Sequence, residues 1–87
     1  MKIIELRDIK RENEHIHYRK RYSAVLVYTI DGVAEHLANI IFVFEYNALG
    51  SRKLIIQFED PINYPLLPAK KKLEEYIRTR FEQGDPE

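Results

Sequence analysis

The sequence predicts an α+β domain: a four-stranded antiparallel β-meander with a long bulged central hairpin, and one C-terminal amphipathic helix packed on one face. Two observations carry this ββββα order. The first is a pair of long strand patterns on either side of Asp31-Gly32. Ile16, Tyr18, Tyr22, Ala24, Leu26, Tyr28 and Ile30 take every second position, broken at Lys20, and Ile40, Phe42, Phe44 and Tyr46 resume the period after the turn. Alternation with period two marks a strand with two unlike faces, and Asp-Gly between two such runs favours a hairpin. The second is the stripe Leu66, Ala69, Leu73, Tyr76, Ile77 and Phe81, spaced for one side of a helix.

The elements follow in order. Ile4 and Leu6 alternate with Glu5 and Arg7, which predicts a first strand over residues 2–11, and polar residues 12–15 suit a turn. The second strand spans about residues 16–30 and the third about 33–46. Residues 47–50 form the next turn, with Gly50 free to take a positive φ. Lys53 to Glu59 makes the fourth strand, with Leu54, Ile56 and Phe58 on one face. Asp60-Pro61 ends the sheet, because proline donates no ladder hydrogen bond and restricts the residue before it. A helix starts near Pro65 or Pro68, where a first turn tolerates proline. Its other side carries Lys70–Glu74, Lys71–Glu75, Glu74–Arg78 and Arg78–Glu82, pairs of opposite charge one turn apart. Gly84 and Pro86 stop it, so residues 1–83 are expected to form one domain and 84–87 a flexible C-terminal tail.

The central hairpin poses a conflict of register. A two-residue loop at Asp31-Gly32 pairs Ile30 with Val33, Leu26 with Leu37 and Tyr22 with Ile41, which sends Phe42 and Phe44 to the face opposite Tyr22. A bulge around Ala38 and Asn39 reverses the parity and brings Ile40, Phe42 and Phe44 to the Tyr22/Leu26 face. Strands this long need such a bend, since most run 5–6 residues, and the bulge is the expected solution. A short helical turn over residues 33–39 is the alternative.

Composition bounds the rest. The 87 residues make one small domain with no cysteine, which excludes disulfides and thiolate metal sites. No apolar run reaches the ~18 residues of a membrane span, and the start lacks the apolar core of a signal peptide, so a cytoplasmic location is expected. Net charge is zero. Residues 1–30 hold seven Lys/Arg against four Asp/Glu, 31–60 two against five, and 61–87 five of each. That is a weak dipole rather than the basic excess of a dedicated nucleic-acid binder.

With the bulged register, one helix covers one face, and Val25, Val27, Ile41, Val43 and Ile55 lie on the other. Leaving five such side chains wet forgoes about 7–15 kcal/mol, at 1.5–3 kcal/mol each, and a contiguous apolar patch marks an interface. The expected function is therefore non-catalytic interaction, through self-association as a homodimer or an unidentified protein partner, with these five residues as the interface. The alternative is single-stranded nucleic-acid binding through Tyr18, Arg19, Lys20, Arg21 and Tyr22, which supply cations and aromatic rings. The ββββα order resembles that of the Whirly, PUR-type and transcriptional-cofactor domains that bind single-stranded DNA, a likeness of architecture across most of the chain rather than of motif.

Other motifs are weaker. His15 and His17 share one side of a strand, as two metal ligands do, but no third ligand is fixed beside them. Pro65-Leu66-Leu67-Pro68-Ala69-Lys70 fits a loose proline-rich recognition pattern and, equally, the first turn of a helix. Glu45, Glu59 and Asp60 could meet as paired carboxylates across strand ends. No glycine-rich phosphate loop or nucleophile elbow is present. No catalytic residue, metal or cofactor is expected.

Overall fold

A computed structural model of the chain describes residues 1–13 and 17–86. Four strands, β1 (Lys2–Glu12), β2 (Arg19–Thr29), β3 (Glu35–Tyr46) and β4 (Arg52–Phe58), precede one helix, α1 (Leu66–Arg80). They form a single antiparallel sheet in the order β1-β2-β3-β4, so the expected ββββα meander is the observed fold. Strands of 11 and 12 residues reach nearly 40 Å at about 3.3 Å per residue, which sets the 43 Å long axis of the molecule.

The expected parity of the hairpin is met by a different device. Tyr22 faces Phe42 and Leu26 faces Ala38, but the pairing from Arg19↔Glu45 to Thr29↔Glu35 runs without a shift, and no bulge occurs at Ala38 and Asn39. The odd residue is absorbed in a five-residue loop, 30–34. Asp31 Oδ1 accepts from the amides of Val33 (2.9 Å) and Ala34 (3.3 Å), and Gly32 follows at φ +81°. Closing five residues instead of two costs roughly 1 kcal/mol. The two-residue register would place Asn39 on the helix side, where burying its amide unpaired costs about 1–3 kcal/mol, and would exile two phenylalanines. The longer loop is the cheaper arrangement.

The bulges lie in β1 instead. Its register against β2 slips between Ile3 and Glu5 and again between Arg7 and Lys10, where Asp8 takes φ +52°. Each slip changes parity by one. Residues three apart therefore reach the same face: Ile3, Leu6 and Ile9 all pack on the helix-side core. Ile4, expected to point inward with Leu6, is exposed. An irregular, charged strand at the sheet edge also resists pairing with another chain.

That core joins Tyr22, Ala24, Leu26 and Tyr28 of β2 to Ile40, Phe42 and Phe44 of β3, Leu54 and Ile56 of β4, and Leu73 and Ile77 of α1. Tyr22 stacks on Phe42 at 5.2 Å, and Phe42 stacks on Phe81 at 6.2 Å. The helix buries Ala69, Leu73 and Ile77 at i, i+4 and i+8, whereas Leu66 stays exposed. Pro65 stands at its N-cap and Pro68 lies within its first turn. Residues 66–70 are thus helical, which removes the extended proline-rich reading. Leu73→Ala should cost about 2–5 kcal/mol, and Leu67→Ala, on a side chain in water, less than about 0.5 kcal/mol; urea denaturation of the two variants measures the contrast.

Candidate functional site

The helix-free face does not present the apolar patch the sequence implied. Val27, Ile41 and Val43 are 0, 7 and 4 % exposed within the single chain, and Val25 is half-buried. Of the five expected interface residues Ile55 alone is classed exposed, at 37 %. The register supplies the reason. Val27 lies between Glu5 and Leu37, Val25 between Arg7 and Asn39, Ile41 between Ser23 and Gln57, and Val43 between Arg21 and Ile55. Arg7 donates to Glu5 along this face, and Arg19 pairs with Glu45 at 3.2 Å. The apolar stems of long charged side chains beside a narrow valine stripe exclude water without a second layer. Leu37, 61 % exposed, is the large apolar side chain this face leaves open.

Leu37 also sits at a gap in the ladder. The Asn39 amide donates to Asp60 Oδ2 (2.8 Å) and its carbonyl accepts from the Glu59 amide (2.9 Å), so Asn39 turns its backbone toward β4. Backbone direction alternates along a strand. Glu35 and Leu37 therefore face the same way, beyond the last β4 partner, Phe58 opposite Ile40. This is an open strand edge.

The most built polar site lies at the other end of the sheet, on the helix side. Lys20 of β2 and Arg52 of β4 fall at inward positions, in line with Tyr22 and Leu54. Both converge on Asp85, whose side chain is 8 % exposed: Lys20 Nζ at 3.1 Å and Arg52 Nη1 at 2.6 Å, with the Tyr46 hydroxyl donating to the same carboxylate. The Tyr22 hydroxyl donates to the Pro86 carbonyl at 2.7 Å. Arg52 also donates to the Phe81 carbonyl (3.1 Å) and lies 4.3 Å above the Phe44 ring. Residues 84–86, expected as a loose tail, thus include a docked Asp85-Pro86 clasp. Burial pushes the Asp85 carboxyl upward, but hydrogen bonds from Tyr46, Lys20 and Arg52 outweigh it and hold the group below the usual carboxylate range. The Tyr46 phenol is raised, first by burial and then by the carboxylate it donates to. Burial likewise raises Tyr22.

These placements dissolve the basic aromatic strip as a single surface. Tyr22 is a core residue, Lys20 is held by Asp85, Arg19 pairs with Glu45, and Tyr18 is exposed at the strand end. Arg21 faces the opposite side from Lys20. His15 lies outside the described residues, and among the described residues no cluster of three metal-ligating side chains occurs. Glu45 and Asp60 serve Arg19 and Asn39 separately. The largest groove, about 810 Å³, runs between the start of β1 and α1, lined by Met1, Ile3, Lys72, Glu75, Tyr76 and Thr79 among others; it gathers one carboxylate and no histidine. Among the described residues no helix is long and apolar enough to cross a membrane.

Sequence reasoning missed Tyr46, Arg52 and Asp85. A signal existed: Lys20 and Arg52 interrupt the inward apolar stripes, and a cation at such a position requires an anionic partner.

Fold and site together define a small α+β domain that closes one end of its sheet with its own C-terminal residues. Comparison with known proteins makes this specific: the model of the BB-0187 family matches residues 1–80, and the chain belongs to that family. No curated protein and no solved structure gives a match.

Asp85→Asn should lower stability by about 1–2 kcal/mol at neutral pH. Because the folded carboxyl titrates below its unfolded value, the contribution is complete above the unfolded range and is lost as pH falls through the folded one. The gap between wild type and variant should therefore close below about pH 4, as urea denaturation at neutral and acid pH would show.

Proposed function

We propose that the chain is a small non-catalytic interaction module that pairs with a second copy of itself through the open end of its helix-free face. The observation that carries this reading is Leu37, largely in water on a stretch of β3 whose outward amides and carbonyls lie past the end of β4. An unpaired strand edge bearing an apolar side chain is a template for strand addition. Two copies related by a two-fold axis present the same edge to each other antiparallel, so the contact is self-complementary. Val33, exposed in the adjoining loop, extends the apolar surface. β1, the opposite edge, is bulged and charged, which favours β3 as the docking side. Val25 and Ile55 remain accessible in part at the margin of this face, while Val27, Ile41 and Val43 form the floor beneath it.

A cytoplasmic setting belongs to the same proposal, supported by the cysteine-free composition. The single-stranded nucleic-acid alternative retains Tyr18 and Arg21, which lie on opposite sides of β2 and make no common platform.

Charge reversal at Val27 would test folding rather than association, since its side chain is enclosed. Leu37→Glu is the informative change. Sedimentation equilibrium should show a concentration-dependent dimer for the wild type and a monomer for Leu37→Glu, with equal thermal stability of the monomers. A wild-type chain that remains monomeric at high concentration, or a variant that still dimerises, would remove the reading.

A further inference from the structure

We propose that Lys20, Tyr22, Tyr46 and Arg52 form a binding site for a phosphate group, and that Asp85 of the same chain occupies it as a tethered competitor. Four donors from three adjacent strands converge at one end of the helix-side face. They are held in place before any ligand arrives. The Tyr22 ring is packed between Phe42 and Phe44, the Arg52 guanidinium lies over Phe44, and Lys20 sits 5.6 Å from the Tyr46 ring.

The present occupant fits only in part. Asp85 brings one negative charge to two cations, so the site keeps a surplus positive charge. Its carboxylate accepts from Lys20, Arg52 and Tyr46, while the Tyr22 hydroxyl turns to the Pro86 carbonyl instead. A phosphate monoester carries close to two negative charges at neutral pH and three terminal oxygens, each able to accept more than once. It matches both the charge and the four donors, and arginine with lysine is a recurrent way to bind it.

The tail is suited to leave. It follows the helix on a few exposed residues, and Asp85 and Pro86 meet the sheet through polar contacts that an incoming anion can replace. When it does, two partly buried cations are left without a counter-charge, a costly state that an external anion relieves. Beside the site opens a groove of about 420 Å³ that shares Tyr46 and Arg52 and adds Tyr18, Ser51 and Lys53. It offers space and an aromatic wall for the organic part of a monoester. This proposal is independent of pairing at the β3 edge, which lies at the other end of the strands.

The test is an NMR titration of the full chain, wild type and Asp85→Asn, with inorganic phosphate, phenyl phosphate and acetate at constant ionic strength. Saturable shifts should centre on Lys20, Tyr46 and Arg52, and Asp85→Asn should tighten phosphate about tenfold, because it removes a competitor held at high effective concentration. In the wild type, phosphate should move the Gly84 amide toward its free-chain position, a readout that needs no variant. Arg52→Gln should abolish the shifts. Tighter binding of phenyl phosphate than of inorganic phosphate assigns an ester as ligand, and equal binding assigns the free ion. Absence of saturable shifts in both wild type and Asp85→Asn would overturn the site. So would shifts that survive Arg52→Gln, or acetate binding as tightly as phosphate, which would leave Asp85 as a structural clasp alone.

Discussion

Register between β2 and β3 is the constraint on which the other features rest. Their pairing decides that Tyr22, Leu26, Ile40, Phe42 and Phe44 share a face, and that face is the one α1 covers with Leu73 and Ile77. The same parity sends Val25, Val27, Ile41 and Val43 to the other side and turns the backbone of Leu37 outward. A slip of one residue would exchange every side chain between the two faces. The five-residue loop, with Asp31 bonded to the two amides that follow Gly32, is a small local cost that secures a large non-local gain.

Two sides of one sheet are dried in different ways. On the helix side, large aromatic and branched side chains meet a second layer, and burial is that of a packed core. On the other, valine and isoleucine stand in a stripe one or two residues wide between Glu5, Arg7, Arg21, Glu45 and Gln57. Short side chains flanked by long ones lose their water to the stems of their neighbours. Where a tall apolar side chain stands at the sheet's unpaired end, as at Leu37, no such cover exists. A docking surface on this protein is therefore local and tied to an edge, not spread across a face.

The clasp at Asp85 follows from the same geometry. Lys20 and Arg52 occupy inward positions because parity along their strands leaves no other choice, and they stand near the sheet's end, where the helix has run out. The chain supplies an anion from the segment just after the helix. Tyr22 and Tyr46 add hydroxyls at the boundary between core and water, a place where tyrosine's apolar ring and polar tip are both accommodated. The tail thereby fastens helix, β2, β3 and β4 at one point.

By itself the sequence determined the element order, the position of the turns and the inward set of the central strands, because periods of two and 3.6 and turn chemistry at Asp31, Gly32 and Gly50 are local properties. It also held a trace of the β1 bulges, in apolar residues three apart at Ile3, Leu6 and Ile9, which alternation alone reads as Ile4 and Leu6. Only the tertiary structure decided that the parity change lies in the loop, that Val27, Ile41 and Val43 are enclosed, and that Asp85 reaches Lys20 and Arg52 across 65 and 33 residues of chain. Water exclusion and charge pairing at those places depend on which side chains become neighbours in space, and no local pattern records that.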